Sequence, residues 1–238
     1  MAVLLLVSVL GVAGGFLTTV AGMGGGLLLV TSLAVLWGPH VALPVTALAL
    51  LVGNLHRLAI FRRHLRMEVG GPLVLGMVPG CLLGALLVAD MPAALLQLAM
   101  LALVGLALAR VVFRWEWVVP RAALAPAGGA VGVMASAGGG AAVLTSPLIL
   151  SSGIAGDEYM ATVAFASVAM HVSRTIGYGA TGLVGGATFA WAALLAVAIV
   201  AGNVIGRSAR GRLPARARTA LEYGVLVLAA ILSVAGVG

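Results

Sequence analysis

Lysine is absent from these 238 residues, cysteine occurs once and carboxylates only six times. Charged residues make up 8% of the chain, where a soluble globular domain carries about a quarter, so there is too little charge to clothe a surface in water. The lone Cys81 has no intrachain partner, which excludes a disulfide framework, a cysteine-ligated metal cluster and a dithiol redox pair. Glu68, Glu116, Asp157, Glu158 and Glu222 fall where interfacial charges or ion-pair partners belong, and no carboxylate lies deep in an apolar stretch as an obvious proton or sodium coupling site. His40, His56 and His64 occupy loop-like or terminal positions, and no histidine has a second ligand at metal-binding spacing. The start of the chain lacks a basic segment, so the apolar run from Ala2 to Val20 is expected to be mature structure, not a signal peptide.

What is present is apolar. Hydrophobic residues reach 63% and the mean hydropathy is +1.22, which places the chain among polytopic membrane proteins. The 34 glycines fit that class, because small residues let membrane helices approach closely. All thirteen basic residues are arginines at segment ends or in short loops, so the net charge of +7 reads as an orientation signal and not as a nucleic-acid surface. Gly, Pro and Arg punctuate ten apolar stretches: 3–20, 25–37, 43–60, 70–89 and 93–113, then 122–137, 141–152, 159–177, 187–206 and 217–236. Trp37, Trp115, Trp117 and Trp191 fall near predicted ends, as interface anchors do.

The chain repeats itself. Gly24-Gly25-Gly26 followed by Thr31-Ser32 returns 114 positions later as Gly138-Gly139-Gly140 followed by Thr145-Ser146. At a shift of 117, Asn54 and Arg57 align with His171 and Arg174; at 122, Gly80, Gly84 and Pro92 align with Gly202, Gly206 and Pro214. Three consecutive glycines weaken a helix by about 1 kcal/mol each, so each triplet marks a break. A break inside a membrane survives only where it lines a cavity or is buried in protein. The second stretch of the first half spans only about 20 Å against a hydrocarbon core of about 30 Å. The first two stretches of each half therefore read as a glycine-tipped broken helix or re-entrant hairpin, with three spanning helices after it.

Arginine placement tests how the halves relate. The loop after the third stretch carries Arg57, Arg62, Arg63 and Arg66, whereas its counterpart from Gly177 to Gly186 is uncharged. Before the fifth stretch the pattern reverses: Asp90 alone in the first half, but Arg207, Arg210, Arg212, Arg216 and Arg218 in the second. If basic loops are cytoplasmic, equivalent loops lie on opposite faces. The linker arginines Arg110, Arg114 and Arg121 join the same side, leaving Arg174 as the exception. The fold expected is an all-α polytopic membrane protein of two inverted-topology repeats, 1–114 and 115–238, forming one integral membrane domain. Both termini then lie outside, and the two hairpin tips meet near the midplane.

Candidate site residues follow. A helix starting after each triplet points unpaired amides and its positive dipole end at the cavity, which favours an anion at Gly24, Gly25, Gly26, Gly138, Gly139 and Gly140. Helix packing is the competing use of these glycines. Thr31, Ser32, Thr145 and Ser146 offer hydroxyls to a substrate, or bond back to their own helix. Pro147 is expected to end or kink the helix that carries it. Arg174 and His171 share a helix face, as do Asn54 and Arg57; a cation within the membrane marks a counter-charge for an anion unless it snorkels to the interface. His171 serves as a proton relay or as a satisfied buried histidine. The run from Gly22 to Gly26 is not a dinucleotide loop, having neither the third glycine nor a strand-helix unit around it.

The glycine triplets, the duplication across an arginine-rich linker and the late Gly-xxx-Gly and Pro positions resemble the TauE/SafE family of membrane permeases over nearly the whole chain. The second copy, Gly138 to Pro147, matches better than the first, which has Leu33 at the Pro position. The resemblance implies export or uptake of sulfite or a small organosulfonate across the bacterial inner membrane.

The resulting expectation is a secondary transporter, not an enzyme, that binds a small sulfur oxyanion at the midplane between the tips and works by alternating access. The expected partners are that small anionic substrate and the lipid bilayer, with a homodimer allowed for; nucleic acid, metal and cofactor are not expected. The rivals are a passive small-anion channel, an intramembrane enzyme and a subunit that needs a soluble partner. Ser173 and His171 are too close in sequence to face each other on a helix, which weighs against the enzyme.

Overall fold

The protein is described from a computed structural model covering residues 1–113 and 119–236; Arg114, Trp115, Glu116 and Trp117 lie outside the described residues, as does the side chain of Glu222. All regular structure among the described residues is helical. The first five helices are α1 Ala2–Val20, α2 Gly25–Trp37, α3 Pro39–Phe61, α4 Met67–Val88 and α5 Ala93–Phe113. The second five are α6 Leu124–Gly138, α7 Ala141–Leu150, α8 Gly156–Ala180, α9 Gly186–Arg210 and α10 Ala215–Ala235. Among the described residues, α1, α3, α4, α5, α9 and α10 are long and apolar enough to cross a membrane, which makes this a multi-pass membrane protein.

Three helices are short: α2 has 13 residues, α6 has 15 and α7 has 10. Helix α8 has length enough at 25 residues, but its buried face carries Thr162, Ser167, His171, Ser173 and Arg174 and so lacks the apolar character of a lipid-facing span. The third stretch begins earlier than expected. Gly38 at φ +79° caps α3, Pro39 sits in its first turn, and the helix runs on through Pro44. Pro147 does not end α7 either; the helix continues to Leu150 and Ser151 donates to the Pro147 carbonyl.

Two pairs of helices lie side by side, α1 along α9 and α4 along α6, with α3 against both α8 and α9. Glycine makes these approaches close. Gly11 and Gly15 of α1 meet Leu195, Ala198 and the Ile199 carbonyl of α9, and Gly202 and Gly206 of α9 meet the α1 backbone at Val12 and Phe16; Gly76, Gly80 and Gly84 of α4 meet the α6 backbone around Gly128, Gly129 and Gly132. A Cβ on Gly80 runs into the Gly129 carbonyl, so the backbones must part to admit one. Gly80→Val is expected to destabilise the protein by about 3 kcal/mol, at the upper end for overpacked cores, measurable as a lowered melting temperature in detergent.

One end of the bundle collects the arginines. Arg66 pairs with Glu158 and with Glu68 at 3.7 Å, and Arg210 with Asp157 at 3.6 Å, so the first turn of α8 ties the α3–α4 and α9–α10 turns together. Helix α8 therefore starts at the end where α3 finishes. Trp37 and Trp191 pack at 4.7 Å between ring centroids, joining the end of α2 to the start of α9.

Candidate functional site

Each glycine triplet sits at a helix break, and the breaks differ in detail. Helix α1 ends at Val20, and Gly22 and Gly24 carry the chain round at φ of +89° and +91°, a region L side chains rarely adopt. Gly24 then caps α2, and the Leu28 amide donates to the Gly24 carbonyl at 2.9 Å. In the second half, Gly139 ends α6 in the left-handed region at φ +80°, its amide bonded to the Ala135 carbonyl, and Gly140 opens α7. The first amides of both α2 and α7 have no carbonyl to meet within their own helices.

The two tips come together around a cavity of about 30 Å³. Gly24, Gly26 and Leu27 line it from the start of α2, and Gly139, Gly140, Ala142 and Val143 from the start of α7. Helix α3 contributes Leu50, Asn54 and Arg57, helix α8 contributes Ser167, Met170 and His171, and Thr18 closes it from α1.

Its polar side chains are buried and partly unpartnered. Arg57, 2% exposed, donates from Nη1 to the Thr18 carbonyl at 2.9 Å, and its Nε has no hydrogen-bond partner. His171, 3% exposed, leaves Nδ1 without a partner. The Asn54 amide donates to the Leu50 carbonyl of its own helix at 2.8 Å. A cavity walled by two helix starts, a guanidinium and an unpaired ring nitrogen is electropositive and short of acceptors, which is the chemistry of an anion site.

The break is anchored from two sides. While Arg57 holds the Thr18 carbonyl, Arg210 holds that of Thr19 at 3.3 Å, and the Thr19 hydroxyl donates to Asn203 Oδ1 at 2.9 Å. Arg210 also lines a wide depression of about 570 Å³ at the arginine-rich end, with Phe61, His64, Asp157, Arg207 and Arg218.

Of the residues singled out from the sequence, the structure brings Gly24, Gly26, Asn54, Arg57, Gly139, Gly140 and His171 to this cavity. Gly25 instead lets α2 pass close to the Gly14 carbonyl of α1, and Gly138 packs on Leu103 of α5. The Thr31 hydroxyl bonds back to the Leu27 and Leu28 carbonyls at 2.9 and 3.2 Å. Ser146 accepts from the Tyr159 hydroxyl at 2.7 Å, and Ser32 and Thr145 are buried away from the cavity. Arg174 is fully buried but stands outside the cavity wall, bonded through Nε to the Tyr178 hydroxyl at 3.1 Å. Leu50 and Ser167 are among the lining residues that sequence reading missed. Both lie four residues before a singled-out position, Asn54 or His171, so the same helix-face rule would have found them.

A family model described as Sulfite exporter TauE/SafE matches residues 7–235. No curated protein and no solved structure matches the chain.

Proposed function

Because the chain belongs to the Sulfite exporter TauE/SafE family, whose members are membrane transporters and not enzymes, we propose that it carries sulfite or a small organosulfonate by alternating access. The anion rests between the two glycine tips. Amides at the starts of α2 and α7 meet its oxygens, Arg57 Nε neutralises it, and His171 Nδ1 donates in the tautomer that carries the proton there. The observation that carries this reading is the convergence of both tips on a cavity whose buried Arg57 and His171 each keep an unpartnered nitrogen. A small cavity suits an anion the size of sulfite better than a long-tailed sulfonate.

Alternating access in this reading comes from rocking of one half, 1–114, against the other, 115–238, as inverted repeats. Three observations support it. Pairing α1 with α9 and α4 with α6 is the exchange that a two-fold relating the halves requires. Helix α3 finishes at the arginine-rich end where α8, its counterpart, begins. The contact of Gly140 with Leu27 places the second tip against the first turn of α2. With the arginine-rich end in the cytoplasm of a bacterial inner membrane, both termini lie outside. A homodimer is compatible with this arrangement, and copurification under crosslinking reads it directly.

Proteoliposomes containing the purified protein are expected to take up labelled sulfite with saturation, and to accumulate it when an opposing gradient drives exchange. Failure to move sulfite and every organosulfonate offered refutes the substrate. Uptake that never exceeds equilibrium under any driving gradient favours a passive channel.

A further inference from the structure

Arg174 is a fully buried cation that the cavity does not use. Its Nη1 and Nη2 have no hydrogen-bond partner, and among the described residues no carboxylate pairs with it. Its Nε donates to the Tyr178 hydroxyl, which donates in turn to the Ser136 carbonyl at 2.6 Å, and the guanidinium carbon lies 5.4 Å from the Tyr178 ring centroid. A guanidinium with four unengaged N–H groups inside a membrane protein is costly unless an anion visits it.

Its position along the bundle is informative. Helix α8 starts at the arginine-rich end; His171 lines the cavity, and Arg174 lies one turn further on, away from that end. Helix α3 does the opposite. Asn54 and Arg57 both line the cavity, Arg57 one turn nearer the arginine-rich end, where α3 finishes. Arg57 thus lines the cavity on its arginine-rich side, and Arg174 stands beyond its wall toward the other end. Each is also tied to the helix that precedes a glycine break: Arg57 directly to the Thr18 carbonyl near the end of α1, Arg174 through Tyr178 to the Ser136 carbonyl near the end of α6. One difference separates them. Four residues beyond Arg57 stands Phe61, which has no hydroxyl, whereas four beyond Arg174 stands Tyr178, whose hydroxyl takes up Nε and keeps both Nη groups unengaged.

We propose that Arg174 is a second station for the transported oxyanion, occupied on the way between the cavity and the end away from the arginine cluster. Arg57, which lines the cavity, belongs to the central site and has no separate station of its own. The proposal rests on the cavity being an anion site and adds a direction to it. Because each guanidinium holds the end of a broken helix, loading either arginine with an anion weakens its hold on that tip and couples occupancy to movement of the hairpin.

The test measures half-saturating sulfite concentration separately from each side of proteoliposomes, with orientation set by selecting vesicles whose terminal tag is accessible. Arg174→Lys keeps the charge but loses the guanidinium fork; it is expected to raise the half-saturating concentration about tenfold at the face away from the arginine cluster and to leave the other face unchanged. Arg57→Lys, which alters the cavity itself, is expected to raise the value at both faces. Tyr178→Phe gives the second half the residue of the first and lets the guanidinium turn to the Ser136 carbonyl; it is expected to raise the same one-sided value by about threefold, and it guards against a folding failure of the lysine variant. An equal rise at both faces, or none, in both Arg174→Lys and Tyr178→Phe overturns the second station while leaving the cavity intact. A wild-type protein that carries no sulfite overturns the cavity reading, and the station with it.

Discussion

Replacing Arg57 with Gln is expected to cut sulfite flux in proteoliposomes about a hundredfold, the effect of losing a charge-assisted hydrogen bond from a desolvated site. Arg57 is the one guanidinium lining the cavity, it is 2% exposed, and its Nε has no other group to bond among the described residues. Binding of sulfite to the purified protein, followed by calorimetry, is expected to disappear in parallel. Arg57→Lys should recover part of both, since an ammonium keeps the charge but not the fork. Because Nη1 also holds the Thr18 carbonyl, the melting temperature is read alongside. A folded Arg57→Gln protein that carries sulfite at the wild-type rate removes Arg57 from the site.

Gly139→Val is expected to be nearly as damaging, for a different reason. The position adopts φ +80°, where a side chain costs about 1–2 kcal/mol, and a Cβ there lies 2.6 and 2.7 Å from the Val30 methyls. The second tip must back away from α2, separating the amides of α7 from those of α2. Flux is expected to fall tenfold or more, which is what a displacement costing about 1–2 kcal/mol removes. Gly153→Ala is the control: φ there is +76° with no atom within 4 Å of an added Cβ, so it carries the strain without touching the tip. It is expected to lower the melting temperature slightly and to leave flux unchanged. Equal loss of flux in both variants would mean that general instability, and not the tip, is responsible.

Much of the fold was legible because glycine, proline and arginine mark helix ends for physical reasons that act locally. Three consecutive glycines with positive φ among them break a helix whatever surrounds it, and the breaks fall at Gly22–Gly24 and Gly139–Gly140. Proline misled in one place. Pro147 reads as an end or kink of α7, yet it does not end the helix, which runs on to Leu150, since neighbouring helices and the low cost of a missing amide near a helix end permit it. The hydroxyls near the triplets were visible, but their direction was not: Thr31 lies on the same turn pattern as a ligand and bonds back to Leu27. Depth was illegible as well. Nothing in the spacing of His171 and Arg174 tells that one lines the cavity and the other stops short of it, because that depends on where α6 and its Ser136 carbonyl pack against α8. The lining from Thr18 needed the tertiary fold, since it comes from the helix before the break and not from the repeat's marked positions.

The central claim is that the anion sits between the glycine tips, and selenite tests it most directly, being sulfite's heavier analogue with an anomalous scatterer at its centre. In crystals grown with selenite, the account predicts a selenium peak within hydrogen-bonding reach of Arg57 and His171, between Gly26 and Gly140, and its loss in Arg57→Gln. A selenium peak confined to the depression of Phe61, His64 and Arg210, or one between the tips that persists in Arg57→Gln, would contradict it.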